Sequence, residues 1–320
     1  MNEYPIQRIA VIGAGLMGHG IALDFAVAGY DIRLHDLTAD ALARAQENIA
    51  EALQRLEQLG LITAEQRSRA PERIRGSVNL PDVVADVDFV IESATENLEV
   101  KRRIFAELDR LCPARTILAS NSSSLMPSSY VSATNRSARV LGVHYFNPPY
   151  LLPCVEVVAG PGTAEATLQT VRELLLRLGK QVATIRKEVP GFIANRLQAA
   201  LFREAFSLVE RGIATPDDID AAVQYGIGRR FATAGPFEVF DLAGLDTVLA
   251  AGRNLMADLE SSPAVSPRLE EKVARGELGV KTGKGFYAWT PDSARALQGR
   301  IASGLARLAE SAWSSTGNQR

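Results

Sequence analysis

Arg8-Ile-Ala-Val-Ile-Gly13-Ala-Gly15-Leu16-Met17-Gly18 decides the fold. Its opening is an apolar run of strand length, and the glycines follow without a spacer. From Leu16 to Ala28 the apolar residues take up a helical period. A strand that passes through three spaced glycines into a helix brings a phosphate to the helix N-terminus. The first glycine permits the tight turn, the second lets backbone approach a pyrophosphate, and the third lets helix and strand pack closely. Alone, this pattern is weak. Asp36 strengthens it, because it ends a second short strand around Ile32 and Leu34. A carboxylate there accepts hydrogen bonds from the adenosine ribose hydroxyls and repels a 2′-phosphate. Leu37 and Thr38 bring no arginine to such a phosphate, so the pattern favours NAD over NADP. A carboxylate that caps its own turn is the other reading of Asp36.

Working outward, Thr38 caps a helix with apolar positions Leu42, Ala45, Ile49, Leu53 and Leu56. After a break at Gly60, a capping box from Thr63 to Gln66 starts another, so a helix–turn–helix covers roughly 38–75. Strands are expected at 88–92, 116–119, 140–143 and 182–186, with helices over 97–111 and 125–133 between them. That alternation implies an α/β fold, a Rossmann-type doubly wound parallel sheet. Past Pro190-Gly191 only helical periodicity remains: 192–212, a Thr215-Pro216 start, and a tail stripe of Leu297, Ile301, Leu305, Leu308 and Ala312. The expected organisation is an NAD-binding domain over 1–187 and an all-helical C-terminal domain over 188–320.

Composition narrows the function classes. In 320 residues, 47% hydrophobic and 22% charged side chains exclude a disordered or fibrous chain. The net charge of -2 leaves no overall basic footprint for nucleic acid. Cys112 and Cys154 make no disulfide framework. With no apolar run of about 18 residues and no cationic leader, a cytoplasmic protein without membrane contact is expected.

The histidines are His19, His35 and His144, none at metal-ligand spacing, so no metal is expected. His144 stands apart because it opens His144-Tyr-Phe-Asn-Pro-Pro149 after a buried strand, where doubly wound sheets place ligands. A satisfied core histidine is the alternative. Read from the residues alone, Ser122–Ser124 suit a helix cap before Leu125, Asn195 a polar position on an amphipathic helix, and Glu96 with Lys101 a solvated charge pair.

Several motifs in series resemble the L-3-hydroxyacyl-CoA dehydrogenase family. They are the glycine motif, Glu92-Ser-Ala-Thr-Glu-Asn-Leu-Glu-Val-Lys101, Ser120-Asn121-Ser-Ser-Ser-Leu125, His144-Tyr-Phe-Asn-Pro148 and Val155-Glu-Val-Val158. Val189-Pro-Gly-Phe-Ile-Ala-Asn-Arg196, Gly235-Pro-Phe-Glu238, Asp241-Leu-Ala-Gly-Leu-Asp246 and Lys281-Thr-Gly-Lys-Gly-Phe-Tyr287 continue them. The resemblance implies that His144 is the general base, that Glu156 orients it, and that Ser123 and Asn195 bind the reacting oxygen. It implies NAD contacts from Gly13, Gly15, Leu16, Met17, Gly18, Asp36 and Asn121, with Glu96 and Lys101 on the nicotinamide side. It also implies a homodimer formed through the helical domain, which completes the substrate cleft.

Two stretches depart from the acyl-CoA members: Pro149-Tyr-Leu-Leu-Pro-Cys-Val-Glu156, and the longer Gly226-Ile-Gly-Arg-Arg-Phe-Ala-Thr-Ala-Gly-Pro-Phe-Glu238. Both are more similar to the lambda-crystallin and L-gulonate 3-dehydrogenase branch, and to relatives acting on carnitine or hydroxymethyl-pyridine acids. In the second stretch Arg229 and Arg230 suit a carboxylate clamp, or else a solvated pair at a helix end. Against this, 38–75 retains the helix–turn–helix that borders the CoA tail in acyl-CoA members, with Arg67, Arg69, Arg73 and Arg75 as nearby cations. The first expectation is therefore oxidation of an L-3-hydroxyacyl-CoA to its 3-keto form. NAD-dependent oxidation of a small free 3-hydroxy acid is the alternative.

Overall fold

The computed structural model describes residues 6–315, and side chains through 308. Two compact units divide it, Met1–Arg196 and Leu197–Arg320. The first holds one eight-stranded sheet: β1 (Arg8–Ile12), β2 (Asp31–His35), β3 (Ile74–Ser77), β4 (Phe89–Glu92), β5 (Ile117–Ser120), β6 (Val140–Tyr145), β7 (Cys154–Ala159) and β8 (Gln181–Ile185). Their order is β3-β2-β1-β4-β5-β6-β7-β8. Strands β1 to β6 run parallel, β7 is antiparallel to β6, and β8 is parallel to β7.

The apolar strands are buried on both faces, as a sheet covered by helices requires. Ile9 and Val11 join Phe89, Ile91, Leu141, Val143 and Tyr145 in one core. Ala10 and Ile12 join Val90, Leu118 and Val140 in the other. The period of two thus sends alternate residues of each strand to opposite sides. It places His144 and Tyr145, neighbours in sequence, on opposite faces of β6.

Thr38 accepts from the Ala41 N–H and begins helix Ala39–Gln58. Thr63 and Gln66 close the expected capping box, and Asn97 caps helix Leu98–Leu111. Two strands went unread in the sequence. β3 is a four-residue edge strand, Ile-Arg-Gly-Ser, with no apolar run. β7 returns antiparallel from β6 without a helix, so the strand–helix alternation carries no trace of it. The sheet is accordingly mixed at one end rather than parallel throughout.

The units part later than 187 because the intervening residues are tied to the first unit. Glu188 accepts from the Ser128 N–H at 2.9 Å, and the N–H groups of Ile193 and Ala194 bond Glu156. Helix Ala194–Glu210 therefore starts in the first unit. The second unit is helical, with helices Pro216–Ala222, Pro236–Ala243, Leu245–Leu255, Pro267–Ala274 and Pro291–Ser315 among its elements. The side chain of Ala312, last of the expected tail stripe, lies outside the described residues. Among the described residues no helix is long and apolar enough to cross a membrane.

Candidate active site

At the C-terminal end of β1 the three glycines play different parts. Gly13 has a φ of 100°, and a Cβ there would lie 2.6 Å from the Ser93 carbonyl oxygen. At Gly18 a Cβ would strike the Gly13 carbonyl, so the helix Gly18–Val27 packs on the turn only without a side chain. Around Gly15, by contrast, a Cβ meets nothing within 4 Å. The loop is tight at its ends and open at its middle glycine, the one a pyrophosphate must approach. No side chain caps the helix, and its first turn carries no acidic residue, which leaves its positive end to an anion. His19 braces the turn through Nδ1 and the Gly15 carbonyl at 2.8 Å. Leu16 is exposed beside the opening, while Met17 packs against the core. A dinucleotide phosphate fits this cradle.

Asp36 makes the turn-capping bond and a second one to the glycine loop. Its Oδ1 accepts from the Leu37 N–H and its Oδ2 from the Ala14 N–H, each at 2.7 Å. It therefore caps its own turn and also fixes the glycine loop in register with β2.

Behind the cradle, Glu92 is fully buried and gathers donors. Lys101 Nζ reaches both carboxylate oxygens at 2.8 Å, Ser120 Oγ donates at 2.6 Å and the Ala94 N–H at 2.7 Å. Lys101 also lies 3.5 Å from Glu96 and is 1% exposed, so the solvated Glu96–Lys101 pair is overturned. The apolar face of helix Leu98–Leu111 buries the lysine, and Glu92, from the adjacent strand, neutralises it. Glu96 receives Ser124 through its hydroxyl at 2.7 Å and its N–H at 3.0 Å, together with the Ser122 hydroxyl. Burial works against its charge, but these hydroxyls and Lys101 hold its pKa at about 2. Of the serine trio, Ser122 accepts from the Leu125 N–H within a bend, but it caps no helix: helix Pro127–Tyr130 starts after Met126 with no side-chain cap, so the cap reading fails. Asn121 is buried, accepting from the Tyr145 N–H at 2.8 Å and donating to Ser93 Oγ at 3.4 Å, so it ties strand ends together.

His144 and Glu156 face each other directly in the antiparallel β6–β7 register. Their twelve-residue spacing becomes a cross-strand pair, with His144 Nδ1 2.8 Å from Glu156 Oε2. The other oxygen, Oε1, accepts the N–H groups of Ile193 and Ala194 at 2.9 Å each, where helix Ala194–Glu210 starts. Burial opposes ionisation of Glu156, yet the bonds from His144, Ala194 and Ile193 hold its pKa below the usual range. Phe192 packs beside the imidazole, ring centroids 5.6 Å apart, and Phe146 does so at 4.8 Å. Phe192 has a φ of 53°, a left-handed conformation that costs a non-glycine residue roughly 1–3 kcal/mol. It turns the chain so that successive amides aim at Glu156. One residue further, Asn195 donates to the Ser123 carbonyl at 3.4 Å. The turn 190–195 thus joins Glu156, Asn195 and exposed Ser123 into one arrangement. Chemically, an imidazole whose Nδ1 is held by a carboxylate presents Nε2 to take or return a proton.

In the second unit, Arg229 and Arg230 lie exposed on the helical turn Gly228–Phe231. A π-turn, Val223–Ile227, precedes it, and Arg229 stacks over the Tyr225 ring at 5.1 Å.

Residues 8–189 match the model of the 3-hydroxyacyl-CoA dehydrogenase NAD binding domain, and residues 191–289 that of the 3-hydroxyacyl-CoA dehydrogenase C-terminal domain. The chain belongs to the 3-hydroxyacyl-CoA dehydrogenase family. It is an NAD-dependent oxidoreductase. It is 36% identical over 293 residues to 5-formyl-3-hydroxy-2-methylpyridine 4-carboxylate 5-dehydrogenase of Mesorhizobium japonicum, covering 92% of this chain and 94% of that one. To L-carnitine dehydrogenase of Streptomyces griseus it is 44% identical over 239 residues, 75% of this chain and 70% of the relative. Among solved structures, a 5-formyl-3-hydroxy-2-methylpyridine 4-carboxylic acid 5-dehydrogenase superposes with a TM-score of 0.89 at 35% identity, covering 95% and 97% of the two chains. (S)-3-hydroxybutyryl-CoA dehydrogenase of Ralstonia eutropha superposes at 0.74 and 34% identity, covering 89% and 99%.

Sequence reading of this dehydrogenase missed the two backbone donors to Glu156, since main-chain groups leave no residue signature. It also missed Glu92 as the partner of Lys101. An acid ending a buried strand two residues before Ala94 was the available signal.

Proposed function

We propose that this dehydrogenase oxidises the hydroxyl group of a small free hydroxy acid, with His144 as general base, rather than that of a CoA thioester. One observation carries the choice of substrate. Between 39 and 75, the segment that borders the CoA tail in acyl-CoA members, six basic residues are balanced by six acidic ones. Arg67, Arg69 and Arg73 are moreover engaged by Glu57 at 2.6 Å, Glu65 at 3.2 Å and Asp31 at 3.4 Å. Exposed pairs of this kind are individually weak. Their sum nevertheless leaves no net positive potential to attract a tail that carries three phosphates. The likeness to the pyridine-carboxylate and carnitine dehydrogenases, which act on free acids, supports the same choice.

NAD, when bound on the glycine loop, supplies the hydride acceptor. The rest falls to the chain. His144 Nε2 takes the hydroxyl proton as hydride leaves the carbinol carbon, and Glu156 stabilises the resulting imidazolium. General-base help of this kind is worth about 10²–10⁴ in rate. Ser123 and Asn195 supply donors to the oxygen as it gains negative character. Glu96 and Lys101 border the nicotinamide, and Lys101 does so through the carboxylates it holds. Arg229, preset by Tyr225, and Arg230 bind the substrate carboxylate, for which a guanidinium is the matched partner. The exposed Leu197, Leu201 and Phe202 on helix Ala194–Glu210 suit a homodimer contact.

The test compares NAD reduction by L-gulonate, L-carnitine and 3-hydroxybutyrate with NADH oxidation by acetoacetyl-CoA. Turnover of a free acid is expected, with KM raised about tenfold or more in Arg229→Ala/Arg230→Ala through loss of a charge-assisted bond. Efficient turnover of the thioester alone overturns the substrate assignment and leaves that of the base standing.

A further inference from the structure

On the opposite face of β6 from His144 lies a second buried pair that the mechanism does not use. Lys180, just before β8, is 6% exposed, and its Nζ lies 2.7 Å from Oδ1 of Asp24, whose side chain is 11% exposed. The same Nζ donates to the Pro149 carbonyl at 2.8 Å and sits 5.6 Å from the centre of the Tyr145 ring. These partners belong to different parts of the site. Asp24 is on helix Gly18–Val27, which continues the glycine loop, and Pro149 is in the loop between β6 and β7 that leads away from His144. Tyr145 is the residue after the base. One buried ammonium therefore joins the cofactor helix to the loop in which this chain departs from its acyl-CoA relatives.

An independent contact marks the same junction. A Cβ on Gly20 would lie 2.9 Å from Pro149 Cδ and 3.1 Å from its Cγ. The loop thus rests on the helix at a point where only glycine fits, because a proline ring cannot swing aside. The N–H groups of Leu151 and Leu152 both bond the Pro148 carbonyl at 3.1 Å, so the loop is folded on itself and moves as a piece.

We propose that Lys180 and Asp24 are a positioning pair that seats the 146–153 loop, which follows the base in sequence, on the cofactor helix and so sets substrate affinity. Neither residue touches substrate. Both act through Pro149. Burying an ammonium and a carboxylate is costly unless each is paired, so the alternatives to this seat are few and the loop has one position. Salt cannot readily screen a pair this buried. The functional consequence rests on His144 being the base, whereas the seating of the loop does not.

The experiment therefore reads the two separately in the full-length enzyme. Lys180→Met leaves Asp24 buried without its cation and risks the fold, so Asp24→Asn/Lys180→Met is made beside it, with circular dichroism to establish folding. Hydrogen–deuterium exchange is followed in peptides covering 146–153 and 18–27. Faster exchange confined to 146–153 is expected, with the helix peptide and NADH affinity unchanged. Unaltered exchange across 146–153 in the folded double variant overturns the proposal, whatever the substrate proves to be. In turnover of the free acid, KM rises and kcat/KM falls about 10- to 100-fold, the scale of a misplacement near 1 Å. Gly20→Ala, which pushes the loop away without touching the charges, is expected to reproduce this. Its effect combined with Asp24→Asn/Lys180→Met falls short of the sum, as for two perturbations of one contact. Full additivity assigns the two residues to separate paths and also overturns the proposal. Activity surviving in His144→Ala would instead strike the assignment of the base.

Discussion

The two faces of β6 and β7 each carry a buried carboxylate paired with a basic side chain, and the two carboxylates behave oppositely. On one face Glu156 is 1% exposed, bonded by His144 and by two backbone N–H groups, and its pKa is lowered. On the other, Asp24 has Lys180 on Oδ1, while its Oδ2 is buried without a partner, and its pKa is pushed up to about 6. Burial raises both. What decides the sign is the number and kind of donors, not the presence of a cation. The bond from His144 and two fixed amides at a helix start together hold Glu156 in its ionised form, so its charge does not rest on a cation alone. A base that must be free to gain a proton requires that arrangement.

Removing the base breaks the comparison most severely. His144→Ala is expected to lower kcat by about 10²–10⁴-fold. NADH affinity, measured by fluorescence titration, should stay near the wild-type value, because the cradle at Gly13–Gly18 is built from other residues. Loss of NADH binding in parallel would mean that the ring supports the fold of the cofactor half.

Glu156→Gln comes next and is more informative. A glutamine has one acceptor and one donor where the carboxylate has two acceptors. If its oxygen keeps the Ile193 and Ala194 amides, its nitrogen faces His144 Nδ1 and drives the ring proton onto Nε2, the atom that must accept. A fall of about 10²-fold in kcat with little change in KM is expected, the signature of a loss felt in the transition state. Wild-type kcat in this variant would show that orientation by Phe146 and Phe192 suffices.

How much of this was legible beforehand follows the same division. The glycine loop, Asp36, the caps at Thr38, Thr63 and Thr215, and the parallel strands are local patterns in which neighbouring residues dictate the outcome. His144 was visible as a polar residue opening a loop after a buried strand. Its pairing with Glu156 was not, since that depends on an antiparallel register no local pattern records; the family motifs supplied it instead. Read from the residues alone, Lys101 passed for half of a solvated pair because its partner Glu92 lies on another element, and a buried lysine looks in sequence like any helix-surface lysine. Lys180 and Asp24 drew no attention for the same reason. Separations of many residues, closed only by the fold, hide charge pairs from sequence.

The smallest expected effect sharpens the contrast through pH. Asp24 has a folded pKa of about 6 against an ordinary value of 3.8. The folded chain therefore binds a proton there more tightly than the unfolded chain does. Its stabilising contribution is complete below 3.8 and is lost as pH rises to about 6. That is an effect of about 2–3 kcal/mol for a shift near two units. Glu156 has the opposite sign: its contribution is present above the ordinary carboxylate range and is lost as pH falls. Denaturation of wild type, Asp24→Asn and Glu156→Gln between pH 4 and 7 separates the two. The advantage of wild type over Asp24→Asn should shrink as pH rises, while its advantage over Glu156→Gln should grow. Were the Asp24 difference instead to grow with pH, Lys180 would be outweighing burial, and both faces of the sheet would hold their carboxylates ionised by the same rule.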